Sequence, residues 1–276
     1  MDFGNFILSF VLQMLATLGL IFLFGKIIAL CNGAFYRNFG SRGRAVCYAT
    51  GFIGTPVHEA SHALMCLIFG HRITDIKFFQ LNSSDGTLGY VHHAYNPRNL
   101  YQKVGCFFIG IAPVLVGALI LAGLLYLLLP ELFAGVSAEI AAVDFAGDAG
   151  ASLGHIWRSF VLMFSYIGTW QWWVFLLVGS LIALHMTLSR EDVKGALSGI
   201  VAYLFIFLVV DVVLALVNEG LLSAFTGGVM ACGAFLLFFF CIFLVIALLL
   251  LVISLIFQRR AFLRAFRASC PSRQGI

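Results

Sequence analysis

Three side chains within five residues could do chemistry together: His58, Glu59 and His62, in the run Gly54-Thr55-Pro56-Val57-His58-Glu59-Ala60-Ser61-His62-Ala63-Leu64. On a helix, positions i and i+4 share a face, so His58 and His62 can grip one metal ion. Glu59 is turned by about 100° from His58 and stands beside that ion, placed to take a proton from a water the metal activates. The pattern is H-E-x-x-H, in which imidazoles supply neutral ligands that suit zinc and the carboxylate supplies a base. At this chain's His and Glu frequencies the pattern arises by chance in well under about 1% of such sequences. Its surroundings are apolar, and two imidazoles and a carboxylate are expensive there unless they bind something.

The composition says what must position these residues. The chain has 276 residues, 62% hydrophobic and 10% charged. A soluble domain is about 45–50% apolar and about 25% charged. So large an apolar share excludes a water-soluble fold and intrinsic disorder, and the low charge excludes a nucleic-acid partner. What remains is an all-α, multi-pass protein of the cell membrane, one integral membrane domain over 1–276, in contact with the lipid bilayer. The net charge of +4 implies no polyanionic partner. Of the seven cysteines (Cys31, Cys47, Cys66, Cys106, Cys232, Cys241 and Cys270) most lie in apolar runs, and none forms a CxxC pair, which argues against a disulfide framework or a cysteine zinc site.

A spanning helix needs roughly 20 apolar residues. Six segments qualify: Phe6 to Leu30 (interrupted by Lys26, which can snorkel), Ala45 to Phe69, Val104 to Leu129, Phe160 to Met186, Val193 to Val217 and Val229 to Phe257. The first lacks a basic start and a cleavage site, so it is expected to be retained. The C-terminal tail 258–276 carries Arg259, Arg260, Arg264, Arg267 and Arg273 interleaved with Phe262, Leu263 and Phe266, the pattern of an amphipathic segment on anionic lipid. That basic tail places both termini in the cytoplasm, together with the 71–103 loop and the turn bearing Arg190 and Lys194. The loop 131–158, with Glu131, Glu139, Asp144 and Asp148, then lies outside. Arg37, Arg42 and Arg44 run against this orientation.

A catalytic zinc takes three protein ligands and keeps one open position. The third must come from elsewhere in the chain, and His71, His92, His93, His155, His185, Asp192 and Asp211 are the candidates. Asp192 and Asp211 are 19 residues apart, about 28 Å on a continuous helix, so they cannot share one metal.

The order of parts resembles the site-2 protease family of intramembrane zinc metalloproteases. H-E-x-x-H lies in an apolar helix. A strand-like stretch follows, Ile73-Thr74-Asp75-Ile76-Lys77-Phe78-Phe79 and Gly86-Thr87-Leu88-Gly89-Tyr90-Val91. Then come Gly110-Ile111-Ala112-Pro113 in the third span and Asp192 with Gly195 near the start of the fifth. The likeness covers about residues 45–200, expected to be the catalytic core. It implies His58, His62 and Asp192 as zinc ligands and Glu59 as the base for cutting peptide bonds of transmembrane or membrane-associated proteins. Leu184 and Thr187 stand where the family's late motif has Asn and Pro, and Gly117 where an Asn often follows its Gly-Pro element. His185, seven residues before Asp192, is an alternative ligand or a supporting residue.

The 73–91 segment, broken by the turn Asn82-Ser83-Ser84-Asp85-Gly86, reads as a small β-hairpin-like insertion. It is either an ordinary hairpin or an edge that binds an extended substrate by strand addition. His92 and His93 are adjacent on a strand, face opposite sides, and are expected to be surface or gating residues. Trp170, Trp172 and Trp173 mark a membrane boundary. Two further functions compete with proteolysis: a metal-binding membrane transporter or sensor, against which the lack of an internal repeat counts, and a non-catalytic relative of the family.

Overall fold

The computed structural model describes residues 3–269 apart from 82, 84–85 and 144–147, and the side chains of residues 3, 149 and 260–269 fall outside that description. The first expected span is longer than its apolar core suggests. It comprises α1 (Phe3–Met14), a π turn (Leu15–Gly19) and α2 (Leu20–Arg37) in one rod. A 3₁₀ turn (Gly40–Arg42) leads to α3 (Gly43–Ile68), which carries the H-E-x-x-H run. Strands β1 (Arg72–Lys77) and β2 (Tyr90–Ala94) pair antiparallel, from Arg72 opposite Ala94 to Lys77 opposite Tyr90, with Thr74 as an extra residue between the Ile73 and Asp75 pairings. Of the expected turn, Asn82, Ser84 and Asp85 lie outside the described residues.

Helix α4 (Leu100–Leu128) follows, N-capped by Asn99. It is apolar all round, as a helix enclosed by others should be. Its most apolar window is 78% buried, against 11% for the N-terminal rod, so α4 is the centre and the rod lies at the periphery. Ile111, Ala118, Leu121 and Leu125 of α4 share a core with Phe175 of α7 (Trp170–His185) and Phe238, Phe240 and Phe243 of α9 (Glu219–Ser269).

Two expectations fail. The acidic stretch after the third span is mostly helix: α5 (Pro130–Ala141), followed by the start of α6 (Ala149–Ser165). Pro130 supplies the pre-set φ of a first helical turn, and Leu132, Val136 and Ile140 repeat every four residues and are buried. Asp144 lies outside the described residues. The fourth span is not one helix. The chain breaks after Ser165, and α7 leaves at 117° to α6. Thr169 caps α7 by accepting from the Trp172 amide. The indole of Trp172 donates to the Met163 carbonyl (2.7 Å) and that of Trp173 to the Ile167 carbonyl (3.0 Å), so two of the three clustered tryptophans close this corner.

Helix α8 (Arg190–Val217) starts at a capping box, and α9 runs for 51 residues. Among the described residues four helical stretches are long and apolar enough to cross a membrane: Gly4–Arg37, Leu100–Leu128, Arg190–Val217 and Glu219–Arg259. The bent pair α6–α7 makes a fifth if counted as one span. These identify a helical membrane protein. Helix α3 has the length, 26 residues, but Arg44, His58, Glu59 and His62 make it less apolar than those four. Helix α9 extends through the expected basic tail to Ser269, and Arg273 and Cys270 lie outside the described residues.

Candidate metal centre

His58 and His62 stand one turn apart on α3, and their Nε2 atoms are 3.1 Å from each other. Asp192 of α8 faces both: its Oδ1 is 3.1 Å from His62 Nε2 and its Oδ2 3.7 Å from His58 Nε2. Among the described residues this is the group of His, Cys, Asp and Glu side chains that could hold a metal ion. Of the seven candidates for third partner, Asp192 is the one brought to the histidine pair.

Backbone breaks aim both rings. Pro113 has no N–H, so the carbonyl four residues earlier, that of Ile109, lacks its helical partner. The Nδ1–H of His62 donates to that carbonyl at 2.8 Å. Helix α7 ends at His185, whose carbonyl is likewise free of the helical ladder. The Nδ1–H of His58 donates to it, also at 2.8 Å. The next two carbonyls of that helix end, Ala183 and Leu184, accept from the side-chain amide of Asn32 on α2 at 2.9 and 3.1 Å.

These bonds decide the chemistry of the centre. A neutral imidazole carries one N–H, and on each ring it is spent on a carbonyl. Both Nε2 atoms are therefore bare lone pairs, and the carboxylate is an acceptor too. One proton bridges a single pair of such atoms, whereas a metal cation serves all three. One ligand atom from each of the three residues lies within 4.8 Å of the others, and the two separations from His62 Nε2, 3.1 Å to His58 Nε2 and 3.1 Å to Asp192 Oδ1, are close to the roughly 3.3 Å edge of a tetrahedron with ligands about 2.0–2.1 Å from its centre.

Asp192 owes its position to the start of α8. Its amide donates to Ser189 Oγ (3.1 Å), and its Oδ2 accepts the Ser189 amide (2.7 Å). That reciprocal box leaves Oδ1 facing His62. Gly110 lets α4 and α8 meet here: a Cβ at Gly110 would run into the backbone of Asp192 and Ala196.

Glu59 is buried and makes no hydrogen bond to the protein among the described residues. It lines a cavity of about 560 Å³ with His58, His62 and Asp192. Gly89 closes over it, where a Cβ would come within 2.7 Å of Glu59 Cγ and 2.9 Å of the Lys77 carbonyl oxygen. Tyr90, Val91, His92 and His93 of β2 also line the cavity. A strand lying on its face shows alternate residues, so four consecutive ones mean that β2 borders the cavity with its edge.

The other candidates go elsewhere. The His185 ring meets Tyr36 Oη (3.1 Å), Thr50 Oγ1 (3.0 Å) and Thr55 Oγ1 (3.4 Å), so it supports the centre through its backbone carbonyl. Asp211 is buried beside Gln13, about 28 Å along α8 from Asp192. His155 joins Arg158 in binding Glu139. His71 pairs with His93. Burial, with His71, His62 and His92 nearby, pushes the His93 imidazole down to about 4.

Sequence reasoning missed Ser189, although S-x-x-D before an apolar run is a helix-start signal. It missed Asn32 and Gly89, for which the sequence carries no signal. No model of a known protein family, no curated protein and no solved structure matches the chain.

Proposed function

We propose that the chain is an intramembrane zinc metalloprotease of site-2 protease type. The observation that supports this most is the meeting of bare His58, His62 and Asp192 acceptors with an unpartnered Glu59 in one cavity bordered by a strand edge. Two imidazoles and a carboxylate suit zinc, and His58, His62 and Asp192 would hold it. When bound, zinc polarises the scissile carbonyl and acidifies a water. Glu59 accepts the proton and, with no competing hydrogen bond, is free to pass it to the leaving amine. The Ile109 and His185 carbonyls keep each ring in the tautomer that leaves Nε2 bare. The edge of β2 offers main-chain groups to an extended peptide, which proteolysis needs because a helix hides its carbonyls. The substrate is a transmembrane or membrane-associated protein, unwound locally. The basic C-terminal end of α9 lies on the cytoplasmic leaflet, and both termini face the cytoplasm.

The decisive experiment is Glu59→Gln in the full chain. The variant should keep about one zinc per chain and lose cleavage of a transmembrane reporter, whereas His58→Ala should lose the zinc. Cleavage that continues in Glu59→Gln overturns the mechanism.

A further inference from the structure

His93 borders the cavity and pairs with His71 behind it, and with both rings neutral the hydrogen bonds of the pair assign which nitrogen carries each proton. His71, 4% exposed, sits between α3 and β1. Its Nε2 lies 2.8 Å from the Gln102 carbonyl, which can only accept, so Nε2 carries the hydrogen. In the neutral ring the His71 Nδ1 is then a lone pair. His93 Nδ1 is 3.0 Å from it and must be the donor. The lone pair of His93 is thereby left on Nε2, which has no protein partner among the described residues. Tyr95 stacks on His71 at 5.0 Å and 13°. Gly105 leaves room for the ring, since a Cβ there would come within 2.9 Å of His71 Nε2. Gln102 in turn holds the Gly70 carbonyl (2.7 Å) and the Asn96 amide (2.7 Å), which fixes the loops on either side.

We propose that His93 is a substrate-binding residue whose Nε2 accepts a hydrogen bond from a backbone N–H of the extended peptide lying along β2, and that His71 and the Gln102 carbonyl hold it in the tautomer that does so. A peptide N–H has acceptors on this wall, since Glu59, Asp192 and His93 Nε2 all line the cavity. His93 stands outside the His58, His62 and Asp192 group, so the metal does not claim its lone pair. The inference rests on the proteolytic reading and adds how the peptide is held.

The test uses the full chain in detergent and a transmembrane peptide reporter. His93→Ala should lower kcat/KM about 3–10-fold, the worth of one neutral hydrogen bond, mainly through KM and with zinc content unchanged. His93→Gln, which offers an oxygen close to where Nε2 stood, should recover most of the loss. His71→Ala should cost part of that loss, set by the fraction of His93 that leaves the Nδ1–H tautomer, and the double variant no more than His93→Ala alone. Nitrogen-15 NMR of histidine-labelled, metal-free protein should show His93 protonated at Nδ1 alone, and a mixture of tautomers in His71→Ala. Normal kinetics in His93→Ala, or a proton on His93 Nε2 in the unaltered chain, overturns the proposal. If Glu59→Gln cuts as fast as the unaltered chain, proteolysis itself fails and His93 with it. If Glu59 is needed and His93→Ala is indifferent, the His93 proposal alone fails.

Discussion

Pro113→Ala separates the two effects of a proline in the middle of α4. Alanine restores an N–H that reaches back to the Ile109 carbonyl, the acceptor now held by His62 Nδ1–H at 2.8 Å. A helix interior favours Ala over Pro by about 3 kcal/mol. Pro113 is buried, and losing about two methylenes costs roughly 1.6 kcal/mol at ~0.8 each. Metal-free protein should therefore gain on the order of 1 kcal/mol in stability. The metal should be held less well, because His62 must share its carbonyl, and loss of such an outer partner lowers metal affinity about 10–100-fold. The two changes have opposite sign, so general damage to the fold cannot mimic them. Unfolding in detergent with a chelator reads the first, and competition with a chromophoric zinc chelator reads the second. Unchanged zinc affinity in Pro113→Ala refutes the argument that the broken helix bond orients His62.

The remaining predictions concern the neighbours of the centre. Ser189→Ala should lower stability by about 1 kcal/mol but keep zinc, because the residue 189 amide still binds Asp192 Oδ2. Ser189→Pro removes that amide and should release zinc as well, and zinc held as tightly as in the unaltered chain would contradict the capping argument. Gly89→Ala should leave zinc in place and slow reporter cleavage roughly 10²-fold, because its Cβ displaces Glu59, and an unchanged rate would show Glu59 to lie elsewhere. Hydrogen bonds from His155 and then Arg158 hold the Glu139 carboxyl below its ordinary value of 4.5. The folded form thus binds fewer protons than the unfolded one below that value. Its contribution is present above pH 4.5 and is lost as pH falls through the folded value. The stability difference between the unaltered chain and Glu139→Gln should accordingly be flat near neutrality and vanish in acid, and a difference that grows in acid would reverse the sign.

The helical membrane architecture was legible because apolar runs of more than 20 residues have few alternatives in water. The pairing of His58 with His62 was legible because it is local, set by one helical turn. The meeting with Asp192 was not, since 130 residues separate the two sites, and only the resemblance pointed there. The broken fourth span escaped notice because Tyr166-Ile167-Gly168-Thr169 is apolar enough to pass for continuous helix, and the break is held by tryptophan indoles reaching backbone carbonyls. The partners of the two histidines were hidden for a related reason. They are main-chain carbonyls, so the side chains at 109 and 185 give no sign of that role. Ala183 and Leu184 likewise contribute only carbonyls, and Asn32 supplies the amide from another helix.

The edge of β2 has a consequence for what such a protein would select. Main-chain groups are the same in every peptide, so an edge strand reads conformation rather than side chains. The filter then lies in the substrate's own folding equilibrium. Each glycine in a helix lowers its stability by about 1 kcal/mol, and proline by about 3. A segment with one or two such residues would populate the extended form many times more often than a leucine-rich helix of equal length. Choice among membrane helices would thus follow how readily each one comes undone.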